Sequence, residues 1–193
     1  MDRKRESDPT PPLDARMLRT RAALRGTLLT LLEEKPFEQV TVREITRRAG
    51  VGYATFFRHY PDKEALLNDL ASGQIGGLIA KTLPILLATD SLEACRETCA
   101  YVAERRKLWA ALLTGGAAGT VREEFVRQAK QIPQAQYSDE SWIPGDLQVV
   151  YATGGTVDIL AWWLQQDEGF PIERIARILD HLVISPTMAA APA

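Results

Sequence analysis

The sequence predicts an all-α protein in two parts, a small three-helix domain over residues 14–62 built on a helix-turn-helix and a larger helical domain over residues 63–186. Three observations carry this. Leu, Ala and Ile are abundant, and apolar residues recur at three- and four-residue spacing in one segment after another. The stretch TVREITRRAGVGYATFFRHYPDK, Thr41 to Lys63, holds start and stop signals at the spacing of two short helices joined by a tight turn. Charge is divided: residues 1–64 hold 13 Lys and Arg against 10 Asp and Glu, the rest 10 against 15, so a net charge of −2 hides a basic N-terminal third. That distribution is expected if only this third meets nucleic acid. At 193 residues the chain can bury a sizeable core.

Residues 1–13 combine charge with three prolines and no apolar period, which predicts a disordered tail. Arg3, Lys4 and Arg5 have two readings, a solvated tail or an arm reaching a DNA groove. From Asp14 a helix follows, with Leu18, Ala22, Leu24, Leu28, Leu31 and Leu32 as a broad apolar face and Arg16, Arg19, Arg21 and Arg25 on its first half. Pro36 ends it, and Phe37 with Val40 provides a third wall beneath the two short helices.

Thr41 and Glu44 have capping-box spacing, so a helix starts there. Val42, Ile45 and Ala49 form its inner stripe, and Arg43, Arg47 and Arg48 project elsewhere. Gly50 suits the left-handed stop, and Val51 plugs the corner. In the second helix Phe56 and Tyr60 pack inward, leaving Gly52, Tyr53, Thr55 and His59 on a face open to a groove. Pro61 breaks this helix and Asp62 caps the next. Lys63 falls in a first turn, where a cation is unfavourable and a bound phosphate would explain it. A plainer reading makes the same residues a helical corner with solvated arginines.

The residues beyond the turn favour the first reading. From Thr41 through A-G-V to FFRHYPDKEALL, the sequence resembles the DNA-binding domain of the tetracycline-repressor-like (TetR) family of bacterial regulators, over about fifty residues from Asp14 to Leu67. The resemblance implies phosphate contacts from Thr41, His59 and Lys63, base-edge contacts from Tyr53 and Thr55, close backbone approach at Gly52, and Arg43 as a further reader. It also shows departures. Phe57 stands where the family usually has a Tyr whose hydroxyl reaches a phosphate, so only an apolar contact is left to it, and Tyr60 replaces the usual Phe.

EALLNDLASGQIGGLIAKTL predicts a long helix that links the two parts as a lever and ends near Pro84. Gly73, Gly76 and Gly77 mark either a bend or close crossing, or simple tolerance of small residues. Asp90 or Ser91, with Glu93, starts a helix to about Arg106 carrying Leu92, Cys95, Cys99 and Val102 inward. LWAALLTGG gives a shorter helix to Gly115, and Thr120 with Glu123 starts another through Gln131. Residues 132–145 read as a loop.

The helix over residues 146–166 is apolar around most of its circumference, and the last helix carries a wide stripe from Ile172 to Val183. One chain has too little core to cover both. They are expected to pair with their copies as a four-helix bundle through Ile159, Trp162, Ile175, Ile178, Leu179 and Leu182, a pattern that resembles the family's dimerisation helices. Residues 187–193 read as a flexible tail.

The resemblance further implies a small-molecule pocket among the middle helices. Candidate walls are Tyr101, Trp109, Leu112, Leu113, Phe125 and Trp163, each of which also fits ordinary core. Asp158, a carboxylate in an apolar helix, would bind a ligand or be satisfied at the dimer interface. The expected function is a sequence-specific regulator, a homodimeric repressor on a near-palindromic double-stranded DNA operator, released by a largely apolar small molecule. Two rivals are an effector-independent DNA-binding protein and a helical binding protein or enzyme. Against the last, only His59 and His181 are present, with no nucleophile, metal ligands or phosphate loop at useful spacing. No cofactor or metal is expected, and Cys95 and Cys99 read as buried thiols or, given further ligands or a low pKa, as a sensor. The charged N-terminus lacks a signal-peptide core and no apolar run approaches spanning length, so no membrane partner and a cytoplasmic location are expected.

Overall fold

In the computed structural model, residues 13–88, 90–116, 118–132, 143–167 and 169–188 are described. The predicted N-terminal tail up to residue 12, most of the 132–145 loop and residues 189–193 lie outside them. Every regular element among the described residues is helical. The N-terminal part consists of α1 (Leu13–Glu34), a 3₁₀ turn (Phe37–Gln39), α2 (Val42–Ala49) and α3 (Tyr53–His59). The long α4 (Lys63–Ala88) leads to α5 (Ser91–Glu104), α6 (Arg106–Thr114), α7 (Ala118–Ala129) and α8 (Gly145–Leu164). The last helix starts as α9 (Ile172–Leu179), widens into a π-helical stretch (Asp180–Ile184) and closes with the single turn α10 (Ser185–Met188).

The small domain packs Leu24, Leu28 and Leu31 of α1 against Phe37, Val40, Ile45 and Phe56, all buried. The expected apolar face of α1 is only half used. Leu18 is 66% exposed and Ala22 is exposed too, because no other described element covers the first turns of α1.

In the larger domain α4 packs against α1, α5 and α7, α5 against α9, and α8 against α6 and α7. Its glycines mark close crossings: a Cβ on Gly77 would lie 2.6 Å from the Tyr101 hydroxyl of α5, and one on Gly73 would meet the Arg25 guanidinium of α1. Pro84 does not end α4. It lies inside the helix, which gives up one backbone donor there and runs on to Ala88. On length and composition alone α4 could cross a membrane, contrary to the expectation that no run approaches spanning length. Here Leu66, Leu67, Leu70, Ala71, Ile75 and Leu78 are buried against the rest of the chain.

Asp90 caps α5, accepting from the Leu92 and Glu93 amides. Helix α7 starts at Ala118, so Thr120 sits inside its first turn rather than at the cap. The tail expected from 187 is corrected as well. Thr187 is buried in α10, where its hydroxyl donates to the Val183 carbonyl and its own carbonyl accepts from Gln148 Nε2 at 2.6 Å. Cys95 and Cys99 are buried free thiols; burial pushes both above their usual range, Cys99 to about 12, so neither has the low pKa of a reactive thiol.

Candidate nucleic-acid interface and core cavity

The turn follows from local chemistry. Thr41 Oγ1 accepts from the Glu44 amide at 3.2 Å, and its exposed hydroxyl proton remains available for donation. The reciprocal half of the capping box is not formed, because the Glu44 carboxylate is held by Lys35 and Arg48. That pairing keeps the Glu44 carboxyl below its usual range. Gly50 adopts φ 64°, the left-handed stop, and Val51 N–H donates to the Thr46 carbonyl at 3.0 Å.

Helix α3 buries Phe56 completely and Tyr60 nearly so, while Tyr53 and Phe57, one turn apart, face outward about half exposed. Their rings meet edge to face at 5.2 Å, and the Arg43 guanidinium lies 5.9 Å from the Tyr53 ring centre. Thr55 and His59 are half-buried beside them. The fold leaves room at Gly52, where a Cβ would meet nothing closer than Thr55 Oγ1 at 3.4 Å, so packing within the chain does not require glycine. Arg43, Arg47 and Arg58 are exposed and form no ion pair among the described residues, whereas Arg48 is neutralised by Glu34. Sequence reasoning passed over Arg58; its signal was its place on the outer face between the inward Phe56 and Tyr60.

Lys63 departs from its expected role. Its Nζ donates to the carbonyls of Phe37 (3.0 Å), Glu38 (3.4 Å) and Val40 (3.0 Å) and sits 4.5 Å from the Phe37 ring centre. Its three N–H donors are thus occupied closing the 3₁₀ turn, which explains a cation in the first turn of α4 without an anion.

Comparison with known proteins bears on this domain first. Residues 27–70 match the family described as "Bacterial regulatory proteins, tetR family". Over these residues the small domain is similar to the TetR family. A Bacillus subtilis relative, the "Uncharacterized HTH-type transcriptional regulator YxbF", is 38% identical over 66 residues, which cover 34% of this chain and 17% of that protein. Solved structures extend the likeness in fold beyond the small domain. A TetR transcriptional regulator from Streptococcus agalactiae aligns with a TM-score of 0.60 at 21% identity, covering 88% of this chain and 96% of its own. Thermus thermophilus FadR, solved with lauroyl-CoA, aligns with a TM-score of 0.60 at 19% identity over 90% of this chain and 98% of its own. RolR, solved with resorcinol, gives 0.60 at 20% identity, over 88% of this chain and 89% of its own.

In the larger domain a cavity of about 170 Å³ opens between α4, α5, α7, α8 and the end of the last helix. Of the expected wall residues only Phe125 lines it. Trp109, Leu112, Leu113 and Trp163 are instead close-packed core, and Tyr101 lies against α4, donating to the Gln74 carbonyl. Asp158 is exposed and paired with Arg122 of α7, which removes the reason to assign it a ligand. Leucines of α4 and threonines of α4, α5 and α8 make the wall.

The expected interface residues divide. Trp162 and Leu182 are exposed, and Ile159 and Ile178 are half-buried. Ile175 and Leu179 are buried inside the chain, because α5 takes that face of α9.

Proposed function

We propose that this chain is a homodimeric transcriptional repressor that reads a near-palindromic operator and lets go of it when a small, largely apolar molecule fills the core cavity. The observation that carries the DNA reading is the outward Tyr53–Phe57 pair on α3, flanked by Arg43, with Arg47 and Arg58 exposed on the same two helices and none of the three in an ion pair among the described residues. Exposed aromatics cost solubility unless a partner covers them. In a groove, Tyr53 and Thr55 would meet base edges, Phe57 a thymine methyl, and Gly52 would let the backbone come close. Thr41, His59 and the arginines would take phosphates. Lys63 supports the turn from within.

A dimer closed through Trp162, Ile178 and Leu182 would set two α3 helices ~34 Å apart, one helical turn of DNA. The lever is α4, which carries cavity wall residues in its second half and is tied to the end of α3 by the Tyr60–Asp69 hydrogen bond. The lauroyl-CoA and resorcinol complexes of FadR and RolR support reading a cavity in this fold as an effector site. Release needs an effector that prefers the non-binding arrangement by several kcal/mol, ~5.5 for a shift from 1:99 to 99:1. A cytoplasmic location follows from this reading.

Selection from random DNA, followed by binding at several salt concentrations, tests it. A two-fold symmetric site should emerge, Tyr53→Ala should relax its preference, and Arg47→Ala should reduce the salt slope by about 1. Sequence-indifferent binding would support an architectural protein instead. Sedimentation should give a dimer that Trp162→Glu with Leu182→Glu splits, with operator affinity lost; undiminished binding by the monomer would overturn the two-fold geometry.

A further inference from the structure

We infer that the cavity takes an uncharged, ring-sized apolar molecule that donates a hydrogen bond, such as a simple phenol or cyclic alcohol, with Gln148 Oε1 as its acceptor. This rests on the effector reading above and names the class of ligand.

Size comes first. At about 170 Å³ the cavity is comparable to an engineered ~150 Å³ hole that takes benzene, and it falls below the ~300–1,000 Å³ of sites for drug-sized ligands. One ring with a small substituent fills that volume.

Charge comes next. No Lys, Arg, His, Asp or Glu among the described residues lines the cavity. A buried ion would have no partner, and desolvating it would go uncompensated. Cys95 on the wall is kept neutral, chiefly by burial and then by nearby Asp180, whose negative field further opposes an anion.

Hydrogen-bond polarity decides the rest. Thr82, Thr98 and Thr187 line the cavity but donate their hydroxyl protons to the Leu78, Ala94 and Val183 carbonyls of their own helices, leaving oxygen lone pairs toward a ligand. Thr153 and Thr156 have no bond among the described residues, and a hydroxyl serves either way. Gln148, only 5% exposed, has its amide orientation fixed by the bond from Nε2 to the Thr187 carbonyl. Its Oε1 is therefore the remaining end, buried and without a partner among the described residues. A wall of acceptors that includes one orphan calls for a donor.

The test uses the full chain without DNA and three probes of one shape: 4-methylphenol, toluene and 4-methylbenzoate, titrated calorimetrically at neutral pH. The phenol should bind at least tenfold more tightly than toluene, and the benzoate should give no measurable heat. Gln148→Met, which keeps length and removes the acceptor, should bring the phenol-to-toluene ratio close to one with toluene affinity unchanged. Ala152→Phe, which fills the cavity, should abolish binding of both. Equal binding of phenol and toluene by the parent chain, preference for the benzoate, no binding of any probe, or an undiminished ratio in Gln148→Met would each overturn the assignment. The parent ranking needs no variant, so a misfolded Gln148→Met does not remove the test. Operator release is read separately. A phenol that binds as described without releasing operator refutes the effector reading alone, whereas release by the benzoate refutes only the ligand class.

Discussion

The Tyr60 phenol donates a 2.6 Å hydrogen bond to Asp69 Oδ2, joining the end of α3 to the first turns of α4. Arg21 of α1 donates to the other carboxylate oxygen at 2.7 Å and, from Nε, to the phenol oxygen at 3.3 Å. One acidic side chain thus ties α3, α4 and α1 together.

Tyr60→Phe keeps the buried ring and removes this donor and acceptor. The loss should be about 1 kcal/mol. Calorimetry should show Tm lower by roughly 2–4 °C for a chain of this size. An unchanged Tm would mean that Arg21 alone holds Asp69.

Lys63→Met separates the two accounts of that side chain. If the ammonium closes the 3₁₀ turn, the variant loses thermal stability and keeps the parent's dependence of DNA affinity on salt. A salt slope reduced by about 1 with Tm unchanged would return Lys63 to a phosphate.

What could be read in advance and what could not divide along physical lines. The Thr41 cap, the left-handed Gly50 and the burial of Phe56 depend on neighbours within a few residues, so local rules reach them. Lys63 misled because its partners lie more than twenty residues earlier, in a turn too short to leave a periodic signal. In the larger domain the failure is of another kind. Large aromatics such as Trp109 and Trp163 suggest pocket walls, yet their bulk suits them to fill space, and the empty space is bordered by Leu and Thr from several helices. Which of those converge is set by packing between distant segments. Ile175, Leu179 and Leu182 share one apolar stripe on paper. The π-helical stretch shifts the phase after Leu179, which turns Val183 inward and Leu182 outward.

Gly155 of α8 approaches that stretch closely. A Cβ there would stand 2.8 Å from Val183 Cγ2 and 3.2 Å from Cγ1, and Val183 is branched and buried with little freedom to yield. Gly155→Ala should therefore destabilise by about 1–3 kcal/mol despite its better helix propensity. Adding Val183→Ala should recover part of the loss, a coupling that denaturant titration of both single variants and the double variant would reveal.

Acid should loosen α7 from α4. Glu124 is held at about 2, below its ordinary 4.5, chiefly by Arg127, with Gln128 and Ser72 of α4 also donating to it. A depressed carboxyl contributes stability that is fully present above 4.5 and lost as pH falls through about 2. Glu124→Gln should flatten that part of the stability curve and leave its neutral-pH shape alone; an unaltered acid limb in urea titrations would contradict the assignment.

The π-helical stretch, in which the Ser185 amide reaches back five residues to the Asp180 carbonyl, behaves as one residue inserted into an ordinary helix. Rewinding this stretch as an ordinary α-helix with all of its residues kept would swing everything after it by about 100° around the axis. The Thr187 carbonyl would turn away from Gln148, and the amide it orients would be released. The floor of the cavity is therefore set by how this helix is wound as much as by the residues it carries, so winding it more tightly would reshape the cavity without changing any residue of its wall.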